Sequence, residues 1–148
     1  MQEDLAQRIE NVFTQAPYPG DNHIGVREVE DFIGQKEWQK VPLEVLARKQ
    51  TGLLSFYPEA YRFYLPAYLC AVLRHLELEY LEDPITYSLI RYIDRTSDIP
   101  QFNEAEKLLI VEFLEGYREL FPLSSYVILD DKVTELQRAI QFWKESLV

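Results

Sequence analysis

The sequence predicts an all-α fold: a single domain, built as an irregular orthogonal bundle of roughly six to seven helices around a buried central helix. Residues 53–81, LLSFYPEAYRFYLPAYLCAVLRHLELEYL, are apolar and aromatic on almost every side, the pattern of a helix packed all round. Amphipathic runs of helical period precede and follow that stretch. The strand signal is confined to residues 126–129 (YVIL), which have no evident pairing partner and read as a buried linker.

In chain order, Leu5, Ile9, Val12, Phe13 and Ala16 recur at helical spacing opposite Glu3, Asp4, Gln7, Arg8 and Glu10. This charged, amphipathic start reads as a helix rather than a signal peptide. The breaker cluster Pro17-Tyr18-Pro19-Gly20 ends it, and Asp21 or Asn22 can cap a short second helix. That helix would turn Val26, Val29, Phe32 and Ile33 inward and stop at Gly34. Trp38 lies in a linker to Pro42, a favoured first helical position, from which Leu43, Leu46 and Ala47 continue a third helix.

Pro58 starts the central helix, and Pro66 inside it is expected to kink or break it. Arg62 and Arg74 each need a carboxylate at the rim of the core, because an unpaired buried charge costs several kcal/mol, of order 3 to 5. Asp83-Pro84 caps and opens a helix carrying Ile85, Leu89, Tyr92 and Ile93, and residues 96–102 read as a loop. Asn103, with Glu106 three residues on, forms a capping box. Its helix runs to about Phe121, burying Leu109, Ile110, Phe113, Leu114, Tyr117 and Leu120. A last helix starts near Asp130 with Val133, Leu136, Ile140, Trp143 and Leu147 as its stripe.

At 148 residues the chain can bury a core without disulfides or metal. Its net charge of -10 disfavours nucleic-acid backbones and anionic membranes, since holding phosphates needs Lys and Arg, and it suits a basic protein partner. The one cysteine, Cys70, lies in the apolar run and reads as core. With no intrachain disulfide available, the expected compartment is the reducing cytoplasm. The longest uncharged apolar run, residues 63–73, is too short to span a membrane.

Motifs that carry chemistry are missing. His23 and His75 are far apart and lack metal-ligand spacing, no phosphate-cradling glycine loop is present, and no GxSxG elbow occurs. The sequence therefore predicts no metal, no cofactor and no catalytic residue.

Tyr18-Pro19-Gly20-Asp21, followed by Leu54-Ser55-Phe56 and residues 58–68 (PEAYRFYLPAY), with Trp38 and Val41 between, resembles a family of small bacterial proteins known only as a domain of unknown function. The resemblance rests on roughly the first half of the chain, with the second half matched by helix pattern. It implies a bacterial, soluble, single-domain protein and carries no activity, cofactor or site residue.

Ten Tyr and two Trp exceed what one small core needs, and both types are enriched at interfaces. The leading expectation is a non-enzymatic, acidic protein-interaction module: an adaptor, assembly factor or neutralising protein. Its contact residues would be the stripe Glu104, Glu112, Glu115 and Glu119 together with Tyr18, Asp21 and Tyr57 of the loops. Tyr87 and Tyr126 are further loop aromatics expected to be exposed. The first alternative is a small-molecule binding protein or enzyme, with Glu59, Arg62, Tyr64 and His75 lining a pocket beside Pro66. The second is an acidic mimic of nucleic acid. A homo-oligomer is compatible with each.

Overall fold

The computed structural model describes residues 2–49, 52–75, 85, 88, 89, 102–120 and 130–147. These are mostly helical, and no strand occurs among them; one isolated antiparallel bridge joins Gly25 to Phe56. No helix among the described residues is long and apolar enough to cross a membrane.

Helix α1 (Gln2–Val12) extends into a 3₁₀ turn, Phe13–Gln15, and stops before Pro17. It buries Leu5, Ala6, Ile9 and Phe13. Short 3₁₀ turns follow at Asp21–His23, Arg27–Phe32 and Trp38–Lys40, then helix α2 (Leu43–Arg48) and a further turn at Gly52–Leu54. Helix α3 (Pro58–Arg74) is the central element, and every residue from 63 to 73 is buried. Its assigned helix runs unbroken through Pro66, although proline has no amide to offer the Arg62 carbonyl.

Helix α4 (Glu104–Glu115) opens on Asn103, whose side chain accepts from the Glu106 amide at 2.8 Å while Glu106 accepts from the Asn103 amide at 2.7 Å. This is the expected capping box. Gly116 then interrupts the run that was expected to reach Phe121, and a single turn, α5 (Tyr117–Leu120), follows. Helix α6 spans Asp130–Glu145. Of the helix expected after Pro84, Ile85, Ser88 and Leu89 are helical and buried; Tyr92, Ile93, Tyr87 and residues 126–129 lie outside the described residues.

Helix α1 packs on α3 and α4, and α4 packs on α6. Both arginines on α3 find carboxylates, as their sequence positions require, Arg74 at the rim and Arg62 on the fully buried Glu106. Arg62 donates to Glu106 Oε1 from Nη2 at 3.1 Å, and Arg74 donates to Glu3 and Glu10 on α1. Asn103→Ala should lower stability by about 1 kcal/mol, since it removes the acceptor for an otherwise orphaned helix amide. Urea unfolding reads this out, and an unchanged midpoint would contradict the role of the cap.

Two expectations in the 21–34 segment are corrected. It is a pair of 3₁₀ turns rather than an α-helix, with Val29 at φ -109°, ψ 23° interrupting the second. Val29 and Phe32 point inward, but Val26 and Ile33 are each 47% exposed. A 3.6-residue period assigns faces wrongly where the backbone turns in three residues and is interrupted.

Candidate functional site

The tyrosines of α3 face the turns. Tyr64 and Tyr68 are fully buried, with Phe32, Phe56 and Phe63 around them at ring-centroid distances from 4.9 Å. The Tyr64 hydroxyl lies 2.7 Å from the Gln35 carbonyl and 2.9 Å from that of Phe32, and Tyr68 donates to the Lys49 carbonyl at 2.6 Å. The Phe32 and Lys49 carbonyls also accept the Gln35 and Gly52 amides, so the hydroxyls fill their second acceptor sites and tie the turns to α3. Burial pushes both phenols up from their ordinary value of 10.0.

Tyr18 is a clamp as well. Its hydroxyl donates to Asp21 Oδ1 at 2.6 Å and accepts from the Gly34 amide at 2.8 Å, and its ring packs edge-on against Phe63. Desolvation and the Asp21 bond raise its phenol. Gly34 sits at φ 84°, a left-handed backbone that glycine adopts without strain. Asp21 is exposed and shares its carboxylate with Tyr18 rather than capping the turn that it opens.

The acidic stripe divides. Glu112 accepts a bidentate pair from Arg8 at 2.6 and 2.7 Å, which ties α4 to α1 and raises the guanidinium further above its ordinary range. Glu115 meets Lys144 at 2.8 Å, which ties α4 to α6. Glu104 and Glu119 are exposed and take no partner among the described residues. Leu108, on the same face, is 54% exposed.

Tyr57 is 44% exposed at the start of α3. Its amide donates to the Ile24 carbonyl at 2.9 Å, and the Val26 amide donates to the Ser55 carbonyl at 3.1 Å. Tyr57 and the exposed Val26 are thereby held on adjacent strips of backbone. Ile33 follows Phe32, whose ring packs on Phe56 at 4.9 Å. Three of the four large apolar side chains that are exposed among the described residues thus come from this one region. Asp21 and Glu59 are exposed in the same segments.

The four residues expected to form a pocket do not converge on one. Tyr64 is in the ring cluster, Arg62 is on Glu106, Glu59 is exposed on the first turn of α3, and His75 closes the other end of that helix. His75 does line a cavity of about 150 Å³, which sequence reasoning missed. Helix α3 supplies Ala67, Cys70 and Ala71 to its wall, three small side chains at i, i+3 and i+4 that leave room there. Trp38, Val41 and Leu46 line it as well, and Glu10, Gln39, Arg74 and His75 supply its polar groups. Arg74 holds Glu3 at 3.0 Å through both Nε and Nη2, and reaches Glu10 through Nη1. The guanidinium in turn holds the Glu3 carboxyl below its usual range.

Cys70 donates to the Ala6 carbonyl at 3.5 Å, and desolvation pushes its thiol from 9.0 up to about 12. Above pH 9 the unfolded chain loses this proton before the folded one does, so stability is retained below pH 9 and falls as pH rises towards 12. Tyr64 and Tyr68 act in the same direction at higher pH. Cys70→Ala should therefore lose less stability than the parent between pH 7.5 and 9.5 in paired urea melts. An equal loss in both proteins would show that the thiol stays no more protonated in the fold than outside it.

Neither a curated protein nor a solved structure matches the chain. A family model does, across residues 25–147, a span that reaches from the Gly25–Phe56 bridge through α6 and begins after the Tyr18–Asp21 clamp. The chain belongs to the family described as Family of unknown function (DUF6714).

Proposed function

We propose that this protein is a non-enzymatic interaction module that docks a basic segment of another protein on the face formed by Val26, Ile33 and Tyr57. The observation that carries the reading is that three exposed apolar side chains come from the segments around the Gly25–Phe56 bridge, with Val26 and Tyr57 on adjacent strips, in a chain of net charge -10. Apolar centres with polar rims are the anatomy of protein interfaces, and tyrosine is a frequent anchor. Asp21 and Glu59 give the rim a sign that suits lysine and arginine and disfavours acidic competitors. The α4 stripe is the weaker candidate for the same role, because Arg8 and Lys144 already neutralise Glu112 and Glu115. Those two pairs also weaken the nucleic-acid-mimic reading, which needs an unbroken row of unpaired carboxylates.

A small-molecule site is the second reading, supported by the cavity between Trp38 and Ala71. His75 lies on it, whereas Glu59, Arg62 and Tyr64 do not line it. The finer architecture belongs with these proposals: an orthogonal bundle of roughly six to seven helices, working in a bacterial cytoplasm.

A photo-reactive phenylalanine analogue at position 57, irradiated in host lysate, tests the docking face against the same analogue at position 108. The expected result is one adduct from position 57, joined to a Lys/Arg-rich peptide and lost at high salt. No adduct from 57, or an equal adduct from 108, would overturn the assignment.

A further inference from the structure

We propose that the cavity beside Cys70 is a binding site for a small organic amine, with the apolar body held between Trp38, Val41, Leu46, Ala67 and Ala71 and the ammonium held by Glu10. The inference rests on the small-molecule reading and gives it a ligand class; it is independent of the docking face.

Size comes first. A cavity of about 150 Å³ has the volume of a benzene-sized guest, and its walls are part apolar and part polar. A single ring, or a branched chain of similar bulk, fits; a nucleotide or a peptide does not. The walls match such a body, since Trp38 and Leu46 face the small side chains of α3 across the space.

Charge decides what the ring carries. Arg74 and His75 line the cavity with Glu10, and the guanidinium is already bonded to both Glu3 and Glu10. An anionic ligand would meet the Glu10 carboxylate and a guanidinium whose three nitrogens are already engaged. Glu10 gives Oε1 to Arg74, and Oε2 has no partner among the described residues. A carboxylate has about four acceptor sites, so it can hold an ammonium without releasing Arg74.

The probe is benzylamine, an ammonium ion at neutral pH, titrated into the full chain while the indole N–H signals are followed by NMR. The chain has two tryptophans, and Trp38 lines the cavity while Trp143 is buried near Phe102. The expected result is a saturable shift of the Trp38 signal with that of Trp143 unmoved, and at least tenfold weaker binding of benzoate. Glu10→Gln should weaken benzylamine by about tenfold, the scale of one charge-assisted hydrogen bond, and Ala71→Leu should abolish the shift by filling the space. If Ala71→Leu fails to fold, the Glu10 variant and the benzoate comparison decide. Toluene separates the two levels of the claim. Toluene binding as tightly as benzylamine would overturn the amine assignment and leave a small-molecule site. No saturable shift with either probe would overturn both.

Discussion

Gly25→Ala is expected to lower stability by about 3 kcal/mol, near the top of what overpacking by one carbon does. A Cβ at position 25 would lie 2.3 Å from the Ser55 carbonyl oxygen, 2.9 Å from the Val29 side chain and 3.0 Å from the Phe56 Cα. Two of those three neighbours are backbone, so no rotamer change relieves the clash. The segments must separate, and the bonds from Val26 to Ser55 and from Tyr57 to Ile24 go with them. Phe56, which packs on Phe32 and Tyr64, would be displaced from the ring cluster as well. Gly34→Ala is the comparison. Its φ of 84° is strained for alanine, but nothing lies within 4 Å of the new carbon, so the loss should be about 1 kcal/mol. Urea unfolding of both variants reads the difference. Equal losses would mean that the Gly25–Phe56 contact does not hold these strips together.

Arg62→Ala should be comparably damaging, at about 3 kcal/mol. Glu106 is fully buried, and its Oε1 receives Arg62 Nε at 3.3 Å, Nη2 at 3.1 Å and the Asn103 amide at 2.7 Å. Its Oε2 has no hydrogen-bond partner among the described residues. Removing the guanidinium leaves that carboxylate in the core with one amide for company, and desolvation is then uncompensated. The double variant Arg62→Met, Glu106→Leu should recover most of the loss, because an apolar pair has no charge to desolvate. What remains is the missing half of the capping box, about 1 kcal/mol. Thermal or urea unfolding of the parent, single and double variants separates these contributions. A single variant as stable as the parent would contradict the pairing.

What the sequence made legible was local. Asn103 and Glu106 announce a cap through their spacing alone, and the structure has both reciprocal bonds. The continuous apolar run makes α3 the buried centre, and arginine on such a helix demands the carboxylates that Glu106, Glu3 and Glu10 supply. What it hid depends on distant partners. The tyrosine excess read as interface material, yet the hydroxyls of Tyr64 and Tyr68 are spent on carbonyls from turns 19 to 32 residues away. Tyr61 likewise meets Ser88 at 2.8 Å. The signal was present in part: Tyr61, Tyr64 and Tyr68 share one helix face, opposite a stretch dense in breakers. Glu112 and Glu115 read as a stripe because α4 alone places them in a row. Only the packing of α1 and α6 reveals that Arg8 and Lys144 sit against them. The cavity was invisible for a related reason. Ala67, Cys70 and Ala71 are ordinary core residues by composition, and the space they leave depends on how Trp38 and Leu46 stand across from them.

Acidic residues of this chain fasten helices, others are proposed to rim the docking face, and one paired experiment separates the two duties. Parent, Glu112→Gln and Tyr57→Ala proteins are melted, and each is used in parallel to capture the cross-linked partner at low and high salt. Glu112→Gln should melt earlier and capture as the parent does, because it loses the Arg8 fastening and leaves the face intact. Tyr57→Ala should melt within a degree or so of the parent, as exposed substitutions usually do, and lose most of the salt-sensitive capture. Capture that fails with Glu112→Gln and survives Tyr57→Ala would contradict the docking face and return the function to the acidic stripe of α4.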